Sequence, residues 1–288
     1  MSINRRSLIK LLPAAIASSL LVNQPPVPLR ATSTHSPRIA RHYQGTNLSG
    51  WEVTLGDALY VRPGECPVTL RDIETVHEPA HSELRANLQR RIILVHNITF
   101  KQMINNEAMH FIHTCIFKFR LPYLPTTDVN ADLNAQTFEG GIFVWDGSQT
   151  RLDYGMAFQW GLNPWIEGEH VGAFGVMSSW TTTHDDDGTW RAVGHLTPDT
   201  EWHEVKMVVN YPGQTTALWV DNKHYGTQFT SIPKPDTWGT EIAARFQVEI
   251  ISIYPEPTGL RAMHQAQVKD WSWTWKRAHG VFLPTIRK

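Results

Sequence analysis

The sequence lacks most of the features that assign a protein to a functional class at first sight. Only two cysteines, Cys66 and Cys115, occur in 288 residues, and two cysteines so far apart do not make a zinc site on their own. The charge is balanced, with 26 Lys and Arg against 27 Asp and Glu. No basic field therefore attracts nucleic acid or an anionic membrane. Helical periodicity is nearly absent, which argues against a helical body.

The two cysteines leave two alternatives open. In an oxidising compartment Cys66 and Cys115 can form one disulfide, contributing about 3–4 kcal/mol in the chain-entropy model. Two unpaired thiols, one of them buried in a strand, fit the sequence equally well.

The N-terminus has the pattern of an export signal. Arg5 and Arg6 precede the apolar run 11–22, which is too short to span a bilayer comfortably. The arginine pair resembles a twin-arginine leader, which carries folded cargo; an ordinary secretory signal is the alternative. We expect residues 1–30 to be the signal and the protein to be exported, periplasmic or extracellular. No second apolar stretch of about 18 residues follows, so no membrane span is expected after signal removal.

Short β-type runs dominate the rest of the chain. About a dozen runs rich in β-branched and aromatic residues are separated by Gly, Pro, Asn and Asp. Without intervening helices, this spacing predicts an all-β, two-layer antiparallel β-sandwich. Residues 202–210 and 215–221 read as a hairpin. We expect a linker at 31–48, one domain at 49–277 and a C-terminal tail at 278–288.

Two segments carry a resemblance to a known superfamily. Residues 199–207 with 216–222 look like a widespread hairpin of laminin-G and concanavalin A-like domains. Residues 268–275 resemble the closing strand of laminarinase-type jelly rolls. The resemblance covers roughly residues 50–277 and implies a concanavalin A-like jelly roll. The Glu-x-Asp-x-x-Glu strand of laminarinase-type hydrolases does not occur, so a retaining glucanase of that type is not expected.

A narrower resemblance concerns the segment His81-Ser82-Glu83-Leu84-Arg85. It is similar to the Arg-Ser-Glu-Leu-Arg strand of alginate-lyase-type jelly rolls, with His81 in place of the first Arg. The nearest match to that family's Gln-x-His motif is Gln159-Trp160-Gly161, which lacks the His. The resemblance implies a polysaccharide lyase with His81, Glu83, Arg85 and Gln159 at its catalytic site.

Strand alternation predicts two polar faces. Arg245, Gln247 and Glu249 share one face of a long apolar strand, and His81, Glu83 and Arg85 share one face of another. One hypothesis is that both faces meet in one groove that holds a glycan; the alternative is two solvated strand faces. The first requires these side chains to cluster on one sheet.

Aromatic side chains suggest a second part of such a groove. The chain has 12 Trp, and Trp rings are a common platform for sugars. The candidates for substrate binding are Trp160, Trp165, Trp180 and Trp190. The closing strand's Trp271, Trp273 and Trp275 share one face, and we expect them to pack in the core.

One acidic loop offers oxygen ligands. Asp185 and Asp187 lie in His-Asp-Asp-Asp-Gly, where a structural Ca²⁺ can bind, although a solvated turn is the alternative. No other cofactor is expected. Three functions stay open: binding of a polysaccharide or oligosaccharide, its cleavage by a lyase, and a structural role in the cell envelope. A monomer is expected.

Overall fold

The fold was established from a computed structural model. It describes residues 40–55, 66, 68–88, 93–104, 107–124, 136–145, 153–162, 173–178, 191–229, 241–252 and 262–277. These residues form fifteen β-strands and one short 3₁₀ turn, Glu107–His110. Within them, no helix has the length and hydropathy needed to cross a membrane.

The strands form two antiparallel sheets. The eight-stranded sheet contains β1 Ala40–Gly45, β3 Ile73–His77, β4 Ser82–Leu88, β6 Phe111–Arg120, β11 His203–Asn210, β12 Thr215–Val220, β13 Lys223–Phe229 and β15 Ala262–Arg277. The seven-stranded sheet contains β2 Glu52–Leu55, β5 Ile93–Ile104, β7 Gln136–Trp145, β8 Asp153–Leu162, β9 Ala173–Ser178, β10 Arg191–His195 and β14 Glu241–Ser252.

The chain passes repeatedly from one sheet to the other. The order is β13-β12-β11-β6-β15-β4-β3 in the eight-stranded sheet, where β1 also pairs with β15, and β10-β9-β8-β7-β14-β5-β2 in the seven-stranded sheet. Strands that are neighbours in a sheet are therefore often distant in sequence, as in a jelly roll. The predicted two-layer antiparallel jelly-roll sandwich is confirmed.

Local strand predictions agree with the structure. The predicted hairpin corresponds to β11 and β12, which pair from Val205 with Val220 to Asn210 with Thr215. The turn after β12 is built from Asp221 and Asn222, both at positive φ, a conformation that Asp and Asn tolerate better than most residues. One boundary differs: β1 lies within the predicted linker, so the sandwich begins before residue 49.

The core lies between the sheets and is rich in aromatic rings. Trp271, Trp273 and Trp275 are buried there, as predicted. Alternation along β15 is interrupted by a bulge between Lys269 and Ser272, at which Asp270 adopts a positive φ. The bulge turns Trp271 inward, and its indole N–H donates to the Asn47 carbonyl at 2.7 Å.

Buried polar side chains make specific hydrogen bonds, and those of Tyr211 connect the two layers. The Tyr211 hydroxyl accepts a hydrogen bond from the Val144 N–H at 3.1 Å and donates to the Tyr154 carbonyl at 2.5 Å. His203 lies between the carboxylates of Asp221, at 2.8 Å, and Asp199, at 3.0 Å. It is thus a partly buried histidine with both ring nitrogens paired.

The two thiols are free. Cys66 is exposed, whereas Cys115 is buried on the inner side of β6. Burial raises the pKa of the Cys115 thiol well above its usual range, so this cysteine behaves as a small apolar core residue.

Candidate functional site

Polar side chains gather on the outer face of the seven-stranded sheet. Along β14, Ala244, Phe246, Val248 and Ile250 pack into the core, so the alternating residues point away from it. The same alternation applies to β5, β7 and β8. We call the resulting set the polar outer face, and it consists of Asn97, Glu139, Gln159, Arg245, Gln247 and Glu249.

Two carboxyl groups meet at the middle of this face. Glu249 on β14 and Glu139 on β7 are register partners, and their side chains share a hydrogen bond. Both are almost fully shielded from solvent, with exposures of 3% for Glu139 and 1% for Glu249. Two buried carboxyls in contact cannot both stay ionised, because each negative charge raises the energy of the other.

The surroundings give the two carboxyl groups different pKa values. Burial, and then the charge of Glu249, raise the pKa of Glu139 well above its usual range. Burial also raises the pKa of Glu249, but only to about 7, because its hydrogen bond with Glu139, the charge of Arg245 and the Gln247 amide all favour its ionised form. Both pKa values are therefore raised, and the neighbours of Glu249 favour its ionised form more than those of Glu139 do.

Amides hold both carboxyls in place. The Gln159 side chain donates to Glu139 at 3.2 Å, and the Gln247 side chain donates to Glu249 at 2.7 Å. The Arg245 guanidinium lies 5.4 Å from the ring centroid of Phe143, which also belongs to the outer side of β7. The pair is thus flanked by donors on both sides and by one cation.

Two amide oxygens beside the pair have no hydrogen-bond partner among the residues that the structure describes. Gln247 and Asn97 are register partners on β14 and β5, with exposures of 0% and 7%. The Gln247 nitrogen is committed to Glu249, which leaves its oxygen as an unpaired acceptor. The Asn97 nitrogen donates to the Thr54 hydroxyl at 3.3 Å, and its oxygen is unpaired too. Such groups are costly to bury without a partner, and a ligand that donates hydrogen bonds can satisfy them.

The structure separates the two polar faces that the sequence suggested might meet. Glu83 and Arg85 lie on β4 of the eight-stranded sheet, pointing outward, and His81 directly precedes that strand. Arg85 bonds there to Glu83 at 2.9 Å and to Glu74 at 3.1 Å. The prediction of one shared groove is therefore wrong: alternation identifies a face of a strand, but not the sheet that the strand joins.

Because of the same separation, the residues of the predicted lyase site do not come together. Gln159 lies on the outer face of the seven-stranded sheet, with the sandwich core between it and the pair Glu83–Arg85. Trp160 alternates with Gln159 and is fully buried between the sheets, against Phe119 and His203. Its predicted place on a sugar-binding surface is wrong.

Several predicted site residues lie outside the described residues. They are Trp165, Trp180, Trp190, Asp185 and Asp187. In the part of the chain that the structure describes, no three His, Cys, Asp or Glu side chains are grouped so as to hold a metal ion. Calcium binding at Asp185 and Asp187 stays a prediction.

Sequence reasoning identified Arg245, Gln247 and Glu249 as one polar face but missed Glu139. Its signal was present: Glu139 is the one charged side chain in the strand 136–145. What the sequence did not reveal is that β7 pairs with β14 in the register that places Glu139 opposite Glu249.

Comparisons with known proteins identify similar folds and no family. No protein-family model matches, and no curated protein matches. The structure is similar to an endo-β-1,4-glucuronan lyase from the fungus Trichoderma reesei (TM-score 0.47, 10% identity, covering 81% of this chain and 93% of that one). It is also similar to basic winged bean lectin with Tn-antigen (TM-score 0.47, 11% identity, 84% and 100%).

A third solved structure, a sialidase, is similar with a TM-score of 0.41 and 10% identity; 70% of this chain is covered, and the chain spans 16% of the sialidase's length. All three similarities are at low sequence identity and concern the fold alone.

Proposed function

We propose that this protein binds a glycan on the polar outer face of the seven-stranded sheet and hydrolyses it by acid–base catalysis. The observation that carries the proposal is the buried, hydrogen-bonded pair Glu139–Glu249, whose pKa values are both raised and are pushed apart by their neighbours. Pairs of carboxyls with divergent pKa values are the usual acid and base of glycoside hydrolysis.

The environments assign the roles. Glu139 keeps its proton at neutral pH and donates it to the leaving oxygen as the glycosidic C–O bond breaks. Glu249, whose ionised form is favoured by Arg245 and Gln247, accepts a proton from the attacking water, whose oxygen bonds to the anomeric carbon. The proton that Glu249 has taken from water then passes to Glu139, directly or through solvent, and this restores the resting state of the pair. This mechanism needs the acid and the base about 6.5–9.5 Å apart, with the sugar and the water between them. Binding of the substrate must therefore break the resting hydrogen bond and move the two carboxyl groups apart.

The unpaired acceptors support a sugar as the ligand. The oxygens of Gln247 and Asn97 require hydrogen-bond donors, and sugar hydroxyls supply donors in large numbers. Arg245 is the cation of the polar outer face, and with one proton shared by the acid pair the face has no excess positive charge. We therefore expect a neutral, hydroxyl-rich glycan here rather than a uronate.

The test is a reducing-end assay on a panel of neutral polysaccharides. Wild type should release new reducing ends, and Glu139→Gln and Glu249→Gln should each lower the rate by about 10²- to 10⁴-fold. Glu83→Gln is the matched control, because Glu83 is also a buried glutamate and lies on the opposite outer face. Equal losses in Glu83→Gln would contradict the assignment.

A second candidate function is glycan binding without cleavage. It is favoured by the direct hydrogen bond between the two carboxyls. Two carboxyls that are hydrogen-bonded to each other still have oxygens that can accept hydrogen bonds from sugar hydroxyls. Saturable binding of an oligosaccharide with no turnover in wild type would select this alternative. If the protein neither binds an oligosaccharide nor releases reducing ends, the structural role in the cell envelope would be favoured.

We also propose export of the protein, supported by the pattern of residues 1–30. Cell fractionation tests this directly. Wild type should be found in the periplasm or the medium, and Arg5→Lys with Arg6→Lys should retain it inside the cell if the twin-arginine route is used. Retention of wild type in the cytoplasm would contradict export.

A further inference from the structure

Two cations converge on one tryptophan on the opposite side of the sandwich. On the outer face of the eight-stranded sheet, the Arg120 guanidinium lies 4.8 Å and the Lys269 ammonium 4.3 Å from the ring centroid of Trp202. Trp202 is half-buried, and the His81 ring lies 6.1 Å from it. We call these side chains the Trp202 cluster.

The sheet register creates this cluster. Trp202 directly precedes β11, whose first residue pairs with Phe119, so its ring lies beside Arg120 at the end of β6. Lys269 is opposite Lys118 on β15, just before the bulge. The Arg120 side chain is oriented further by a hydrogen bond to Gln267 at 2.5 Å. The cations are thus held by the ring and by the strands, not by carboxylates.

Among the described residues, no carboxylate neutralises the positive charges of the cluster. Two nearby cations on the same face are neutralised, Lys118 by Asp270 at 3.2 Å and Arg85 by Glu83 and Glu74. Within the described part of the chain, neither Arg120 nor Lys269 has a carboxylate within ion-pair distance. A cation over a tryptophan gains about 0.5–1 kcal/mol at an exposed site, but two like charges at one ring repel each other, and an anion between them relieves that repulsion.

We propose that the Trp202 cluster binds an acidic polysaccharide, with Arg120 and Lys269 contacting a carboxylate or sulfate group of the chain. Charge complementarity identifies the ligand, because the cluster has two free cations and the Gln267 amide beside them for hydroxyl groups. A nucleic acid requires a broad basic surface, whereas this chain has a net charge of −1. The site is independent of the Glu139–Glu249 pair and lies on the other sheet.

The test measures binding of hyaluronan, dextran sulfate and neutral dextran to the full protein. Lys269→Gln and Arg120→Gln should each weaken binding of an acidic chain by about tenfold, and added salt should weaken wild-type binding. The two acidic chains distinguish carboxylate from sulfate recognition. Trp202→Leu should also weaken binding, because the two cations lose the ring that positions them.

The matched control is Lys206→Gln. Lys206 lies 4.6 Å from the Trp219 ring on the same outer face, so it is a cation–ring pair outside the cluster, and its loss should leave binding within about twofold of wild type. Unchanged melting temperatures would show that the variants fold. Equal losses in Lys206→Gln and Lys269→Gln, equal binding of dextran, or equal binding of a DNA duplex would each overturn the proposal. Hydrolysis at the acid pair should be unaffected by Lys269→Gln.

Discussion

Glu139 and Glu249 face each other across neighbouring strands of the seven-stranded sheet and share one hydrogen bond away from solvent. The pair lies at positions where a sheet's outer side is ordinarily wet. Keeping two carboxyl groups there, instead of apolar residues, lowers stability at neutral pH, because burial disfavours the ionised form. Retaining an arrangement with such a cost is typical of functional sites.

The acid pair should make the protein less stable as the pH rises. The folded state raises the pKa of Glu249 from 4.5 to about 7 and raises that of Glu139 as well, so the folded state holds more protons than the unfolded state in this window. Its contribution is complete below about pH 4.5 and is lost as the pH increases through about 7. Urea unfolding between pH 5 and about 8 checks this; Glu249→Gln should flatten the slope, and an unchanged slope would contradict it.

Buried histidines should oppose this trend at low pH. Burial lowers the pKa of His96 and of His264 to about 3, and that of His113 to about 4. Their contribution is present above the unfolded pKa of 6.5 and is lost as the pH falls toward those values. Together with the acid pair, this predicts maximal stability in mildly acidic solution. A maximum at alkaline pH would contradict the account.

Replacing His96 with leucine should not destabilise the protein. Both ring nitrogens of His96 are buried without a hydrogen-bond partner in the described part of the chain. Leu therefore removes two buried polar atoms that lack a partner while keeping a similar volume. We expect the free energy of unfolding at pH 7 to be unchanged or higher by about 1 kcal/mol. His42→Leu, at an exposed site whose ring nitrogens contact Thr274 and Gln44, is the comparison. A loss of about 2 kcal/mol or more in His96→Leu would show that the ring has a structural role.

Removing the Tyr211 hydroxyl should weaken the contact between the layers. This hydroxyl bridges Val144 and Tyr154, which are register partners on β7 and β8. Tyr211→Phe leaves a buried N–H and a buried C=O without that partner, so we expect a loss of about 1–3 kcal/mol in chemical denaturation. A decrease in the free energy of unfolding of less than about 0.5 kcal/mol would mean that the Val144 N–H and the Tyr154 carbonyl find other hydrogen-bond partners.

A side chain at position 140 should disturb the core. A Cβ at Gly140 would lie 2.4 Å from the Phe117 ring, whereas a Cβ at Gly161, on the adjacent strand, would meet nothing closer than 3.6 Å. Gly140→Ala should therefore lower stability by about 1–3 kcal/mol, and Gly161→Ala should be nearly neutral. Similar unfolding midpoints for both variants would contradict the packing described.

Much of the fold could be predicted from local sequence patterns, because strand alternation and turns depend on residues that are close together in the sequence. The β11–β12 hairpin is recognisable because Pro212 and Gly213, two typical turn residues, lie between its strands. Trp271, Trp273 and Trp275 alternate with a period of two, which places them on one face. The outward direction of Arg245, Gln247 and Glu249 follows from the same rule.

The site needed information that local patterns do not contain. Whether Glu83 and Glu249 share a face of the molecule depends on which sheet each strand joins, and the jelly roll assigns them to different sheets. The partner of Glu249 is Glu139, more than a hundred positions away in sequence, and only the β7–β14 register brings them together. Trp160 was misplaced because the period of two gives alternate faces without identifying which one is inside.

The most direct test of the central claim, that Glu139 and Glu249 share a proton, is a ¹³C NMR titration of the glutamate side-chain carboxyls. The account predicts one carboxyl that stays protonated at neutral pH and a second that titrates near pH 7, with both signals lost from their positions when either residue is changed to Gln. Titration of every glutamate near pH 4.5, with no signal altered by Glu139→Gln, would contradict it.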